Sequence, residues 1–266
     1  MQQAKDFLAE SEDVFALVSG LSEEALATAT AFKQWSIADI IQHLHFWNEA
    51  ALLSLTDAAG FDDFFKPVGA HIFSGKDLKS YEREYFANLT AGELIAAWKH
   101  MYLATARAFE QADPSQRVAW VGPSMSARSS ITARQMETWS HAQAIYDALG
   151  IDRADQDRIR NIVVLGVNTY GWTFVNRKLD VPDPMPYVSL TAPSGDVWNY
   201  GDPQDDNCIQ GSAVAFAQVV TQTRNVVDTD LQVIGDNANL WMANAQCFAG
   251  APNPVPEPGV RCKAAV

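Results

Sequence analysis

In the first 150 residues, apolar positions recur every three to four residues, the spacing that gathers them on one face of a helix. Phe7, Leu8, Phe15 and Val18 set the pattern in the opening segment. Ser22 followed by Glu23 and Glu24 marks a helix start, because acidic groups complement the N-terminal dipole. Ser36 with Asp39 three residues on resembles a capping box and begins a helix that runs to about residue 55. Thr90 with Glu93 begins another, ended near residue 112 by Asp113-Pro114. A fourth helix over residues 130–150 closes on Gly150, a residue suited to the left-handed position after a helix. Four long helices with irregular connections predict a bundle. The longest connection, about residues 60–80, is rich in Phe, Gly and Asp and is expected to be irregular and to cover one end of the bundle.

Beyond Gly150 the pattern changes. Residues 155–178 read as one helix carrying Ile159, Ile162, Val163, Leu165, Val167 and Phe174, after which three prolines in residues 181–186 break regular structure. Residues 187–191 and 196–200 alternate as strands around Ala192-Pro-Ser-Gly195, a hairpin pattern, with a third strand near 207–210. Helices over 212–223 and 237–248 and an extended proline-rich tail complete the chain. The expected organisation is an α plus α/β protein, with a four-helix bundle over residues 1–152 followed by a smaller α/β domain over 153–266.

Charge narrows the class. A formal net charge of −13 opposes wrapping a phosphate backbone, so no nucleic-acid partner is expected. No apolar run approaches the ~20 residues of a membrane span, and the opening residues lack the basic start and apolar core of a signal peptide. Cys208, Cys247 and Cys262 are odd in number and widely spaced, which fits a reducing compartment. The expectation is a cytoplasmic monomer or homodimer without membrane contact.

The chemistry concentrates in two helices. Glu137 and His141, four residues apart, share a helix face with Arg134, and small apolar residues (Ala144, Ile145, Ala148) continue that face. In the helix of residues 37–55, His43 shares a face with Ile40 and Trp47, while His45 points away. A histidine beside an apolar stripe is usually a core residue, and an i,i+4 Glu–His pair is usually a solvated helix pair. If the two helices are neighbours, however, His43, Glu137 and His141 form a two-histidine, one-carboxylate set that leaves coordination positions open on a divalent metal. Arg134 would then orient the carboxylate or bind an anionic substrate, and Trp47 would line the cavity. His45 is the reserve ligand, His71 could enter from the connection, and His100 reads as a surface or boundary residue.

At these residues the chain resembles the DinB-like superfamily, and within it the mycothiol-dependent maleylpyruvate isomerase family and its metal-binding relatives. Trp35, Asp39, His43 and Leu44 resemble that family's second-helix motif. Met125-Ser-Ala-Arg128, Arg134, Glu137, His141 and Ala148-Leu149-Gly150 resemble its fourth-helix motif. The likeness continues through Leu190-Thr-Ala-Pro-Ser-Gly195, Trp198, Gly201, Gly211-Ser-Ala213, Thr223-Arg224, Asp228, Leu231, Gly235, Ala238 and Trp241. Those residues resemble the C-terminal domain of these proteins, which is sterol-carrier-like in the isomerase and has also been compared with a tRNA wyosine-forming domain.

The resemblance implies a divalent metal, zinc being the expected ion, held by His43, Glu137 and His141. It also implies a low-molecular-weight thiol cosubstrate, mycothiol or another, whose thiolate adds to a cis double bond, allows rotation and leaves. Arg224 is the best match to the arginine that the C-terminal domain contributes to catalysis, its bland alternative being a helix-end residue that satisfies carbonyls. The expected function is therefore a thiol-using cis–trans isomerase or an S-transferase acting on a small molecule. The alternatives are a metal- or ligand-binding protein without turnover, or a metal-assisted hydrolase.

Overall fold

The computed structural model describes residues 1–264, which form two compact units, Met1–Ile145 and a second beginning at Tyr146. The division falls in the last turn of a long helix, upstream of the 152/153 boundary expected from sequence.

The first unit contains α1 (Gln2–Val18), α2 (Glu23–Leu26), α3 (Ile37–Thr56), α4 (Ala58–Phe73), α5 (Leu78–Tyr85) and α6 (Ala91–Gln111). A two-stranded ribbon follows, β1 (Arg117–Val118) paired antiparallel with β2 (Met125–Ser126), and leads into α7 (Ala127–Ala148). The long helices α1, α3, α6 and α7 are those the apolar spacing predicts. The starts of α2, α3 and α6 are as read: Ser22 accepts from the Ala25 amide, and both Ser36/Asp39 and Thr90/Glu93 form reciprocal capping boxes, while α7 begins at Ala127 rather than at residue 130.

The connection over residues 60–80 departs from expectation, because most of it is helical and forms α4 and the start of α5. α3 is the central helix. Ile37, Ile40, Ile41, Leu44, Phe46, Ala50 and Ala51 are all buried, and α6, α4 and α5 pack against it. Any side chain on α3 is therefore held by a rigid frame.

Asp39 has two roles in that frame. It accepts from the Ser36 amide at 2.7 Å, closing the α3 cap. It also receives two hydrogen bonds from Arg83 at 2.6 and 2.9 Å and an ion pair from Lys79 at 3.1 Å, which tie α5 to α3. Burial opposes the Asp39 charge, but Arg83, Ser36 and Lys79 outweigh it and hold the carboxyl down at about 2, against an ordinary value of 3.8. A folded pKa below the unfolded one gives stability that is complete above about pH 5 and lost as pH falls through about 2. The contribution at neutral pH is roughly 2 kcal/mol. In urea unfolding, Asp39→Asn should lower stability by about that much near neutrality and by little near pH 2. An equal loss at both pH values would contradict the assignment.

The second unit contains a 3-10 turn (Asp157–Ile159), α8 (Arg160–Asn168), α9 (Tyr170–Val175), β3 (Tyr187–Thr191), β4 (Val197–Tyr200), β5 (Cys208–Ser212), α10 (Ala213–Val220), β6 (Gln232–Ile234) and α11 (Asp236–Met242). The strands form one mixed sheet ordered β4-β3-β5-β6, in which only β3 and β5 are parallel. α10 lies against β3 and β5, and α8 packs on α10. Gly166 makes that approach possible, since a Cβ there would meet Val220 at 2.8 Å.

The expected hairpin and third strand are present, and the architecture is α plus α/β as expected. Three details differ: the single helix over 155–178 is broken at Thr169, α11 ends earlier than expected, and β6 was not anticipated. Thr169 donates its hydroxyl to the Leu165 and Gly166 carbonyls, which competes with helix continuation. No disulfide joins the cysteines among the described residues, and no helix there is long and apolar enough to cross a membrane.

Candidate metal centre

α3 presents His43 and Trp47 one turn apart, and α7 presents Arg134, Glu137 and His141 on successive turns. The two helices bring together the trio read from sequence: one ligand atom each of His43, Glu137 and His141 lie within 4.8 Å of one another. The imidazole centroids are 4.8 Å apart, and His141 Nε2 is 3.2 Å from Glu137 Oε2. Ligands ~2.0–2.2 Å from a common zinc-like ion lie at most about 4.4 Å apart, so this spacing is close to what one ion needs. The donor set, two neutral imidazole nitrogens and a carboxylate, is that of an open divalent site rather than a closed structural one.

Electrostatics keep Glu137 and His141 in ligand form. Burial works against the Glu137 charge, but the hydrogen bond and charge of His141, joined by Arg134 and His43, pull its carboxyl down to about 2. Burial pushes the His141 pKa below its ordinary value against the counter-pull of Glu137, with His43 adding to the downward shift. A low-pKa imidazole keeps a lone pair available to a metal.

Aromatic rings wall the cluster. Trp35 stacks on His141 at 5.9 Å with an interplanar angle of 1°, and Phe32 meets the same imidazole edge-on at 4.9 Å. Trp47 lies 6.1 Å from the His43 ring, and its buried indole N–H has no acceptor. Arg134 is buried at 3% exposure, and Nε donates to Asn48 Oδ1 at 3.1 Å. Its Nη2 has no partner, no carboxylate pairs with it among the described residues, and burial pulls the guanidinium down to about 10. Glu137 and Glu82 act on the Arg134 charge without bonding to it, so Nη2 stays open to an anionic oxygen.

The structure also supplies what the sequence reading missed. Glu82, on α5, reaches His43 Nδ1 at 2.8 Å. Asn48, on α3, orients Arg134. The only local hint of the first was the charged face Lys79, Glu82 and Arg83 at helical spacing.

The other histidines take no part. His45 is buried against Phe86, and burial pushes its pKa down to about 4, so it is a core residue rather than a reserve ligand. His71 sits on α4 and meets the Ser80 hydroxyl at 2.8 Å instead of entering the cluster. His100 is exposed on α6. In the second unit, Arg224 forms a two-pronged pair with Asp147, at 2.7 and 2.6 Å, and donates to the Thr223 carbonyl.

Comparison with known proteins follows the same lines. Residues 7–146 match the family described as the mycothiol maleylpyruvate isomerase N-terminal domain. Two uncharacterized proteins of Mycobacterium tuberculosis, one from strain CDC 1551 / Oshkosh and one from a second strain, are each 36% identical over 250 residues. Those alignments cover 93% of this chain and 95% of each relative. The crystal structure of the mycothiol-dependent maleylpyruvate isomerase superposes with a TM-score of 0.51 at 12% identity, over 82% of this chain and 87% of that one. A point mutant of the same enzyme gives 0.50 at 15% identity, with the same coverage. At these identities the superpositions establish a shared fold.

Proposed function

The chain belongs to the family of the mycothiol maleylpyruvate isomerase N-terminal domain, and from that membership we propose a metal-dependent enzyme that activates a small-molecule thiol. It acts as a cis–trans isomerase of an unsaturated dicarboxylate or as a thiol S-transferase. The observation that carries this reading is the convergence of His43, Glu137 and His141 within 4.8 Å on two helices. A divalent ion held by that trio, zinc by the chemistry of the donors, would lower the pKa of a bound thiol toward neutrality.

The chain's own groups supply the remainder. Arg134 has a buried Nη2 without an acceptor, and Asn48 Nδ2 and Trp47 Nε1 are in the same condition. All three are donors, so an anionic oxygen satisfies them and a cation does not. A substrate carboxylate would supply the acceptor that Arg134 Nη2 lacks, and Trp35 and Trp47 would shield the reacting carbon from water. Isomerisation is redox-neutral: the thiolate adds to one alkene carbon, the C–C single bond rotates, and the thiolate leaves with its electron pair. Arg224 is included as a catalytic candidate of the second unit.

An assay of the zinc-loaded protein tests the proposal, with a cis-unsaturated 2-oxo dicarboxylate and mycothiol or another low-molecular-weight thiol. Turnover should require both thiol and metal. Arg134→Ala should raise KM for the dicarboxylate at least roughly tenfold. Full activity without thiol would overturn the reading in favour of a hydrolase, and absence of turnover with every thiol would favour a binding protein.

A further inference from the structure

Given that reading, in which His43 is a metal ligand, the geometry points to Glu82 as the residue that positions it. Glu82 Oε1 lies 2.8 Å from His43 Nδ1, and the Glu82 side chain is only 2% exposed. An ionised carboxylate can only accept a hydrogen bond, so the proton of a neutral His43 resides on Nδ1. The lone pair is then on Nε2, the nitrogen left for a metal. The contact therefore selects the tautomer as well as the ring orientation, and a carboxylate behind an imidazole raises its basicity toward the ion.

The surrounding structure is built to hold this contact. Lys79, Glu82 and Arg83 occupy one face of α5, at i, i+3 and i+4. Lys79 and Arg83 grip Asp39, one turn before His43 on α3, while Glu82 grips His43 itself. Consecutive residues of α5 thus engage α3 at positions one turn apart, which fixes the register between the two helices. A sliding or rotated α5 would break both contacts together. Trp35 completes the cradle, its ring 5.2 Å from that of His43 at an interplanar angle of 63°. Glu82 meets His43 at Nδ1, the ring nitrogen turned away from the proposed metal, so its role is positioning rather than catalysis.

Two measurements on the full chain test this. Zn(II) affinity, measured by chelator competition, should weaken about 10–100-fold in Glu82→Ala and by less in Glu82→Gln, which keeps an acceptor oxygen but loses the charge. In metal-free wild-type protein, 15N NMR should show His43 protonated on Nδ1, and that preference should fade in Glu82→Ala. The NMR result on wild type stands even if a variant folds poorly. Wild-type Zn(II) affinity in both variants, or an Nε2-protonated His43 in wild type, would overturn the assignment. A wild-type protein that binds no Zn(II) would instead overturn the metal reading on which the assignment rests.

Discussion

Purified protein is expected to carry close to one divalent ion per chain, and His43→Ala, Glu137→Ala and His141→Ala should each nearly abolish that occupancy. Loss of an outer hydrogen-bond partner costs 10–100-fold in affinity. Removing one of only three protein ligands should exceed ~100-fold, because no fourth His, Cys, Asp or Glu of the described residues joins the cluster. The protein should remain folded in each case. The trio occupies two helices whose buried residues include Ile40, Ile41, Leu44, Trp139 and Ala142, none altered by these substitutions. Metal analysis after dialysis against a weak chelator, paired with circular dichroism, separates loss of metal from loss of fold. A Glu137→Ala protein with full occupancy would place the ion elsewhere. His45→Ala is the matched control, since that imidazole is buried against Phe86 away from the cluster and its loss should leave occupancy unchanged.

The His43, Glu137 and His141 cluster was legible because each part of it is a local signal. Glu137 and His141 are one turn apart on a helix whose phase the flanking apolar residues set. The phase of α3, fixed by the Ser36/Asp39 cap and the run from Ile37 to Leu44, distinguishes His43 from His45. Glu82 was illegible for the opposite reason. Its partner lies 39 residues away, and nothing in the spacing of Lys79, Glu82 and Arg83 distinguishes a docking face from a solvated one.

The misreading of residues 60–80 has a different cause. Gly60, Pro67 and Gly69 are breakers by propensity, yet α4 runs through all three. Phe64 and Phe65 pack on Phe46 and Trp47, and Phe61 packs on Phe65 and Trp120, so aromatic burial outweighs the local preference. β6 is three residues long at the edge of its sheet, too short to show an alternation.

Arg224→Ala should destabilise the second unit, because it removes the two-pronged partner of the buried Asp147 carboxylate. Arg224 and Asp147 are only 11% and 6% exposed, so the pair is poorly screened by solvent. Arg224→Lys should recover part of the loss, since an ammonium restores charge but not the paired geometry. Adding Asp147→Asn to Arg224→Ala removes the charge that Arg224 balanced and should restore part of the lost stability, the non-additivity expected of a direct pair.

The same cycle judges the catalytic proposal for Arg224. A residue that only supports the fold regains its effect on turnover when stability is regained. A residue that acts on substrate does not. If Arg224 serves catalysis, kcat/KM should stay at least ~100-fold down in the stabilised double variant while Zn(II) occupancy remains that of wild type. Recovery of turnover together with the melting temperature would reduce Arg224 to a structural partner of Asp147. Substrate recognition would then rest on Arg134, a buried arginine that has no carboxylate partner among the described residues.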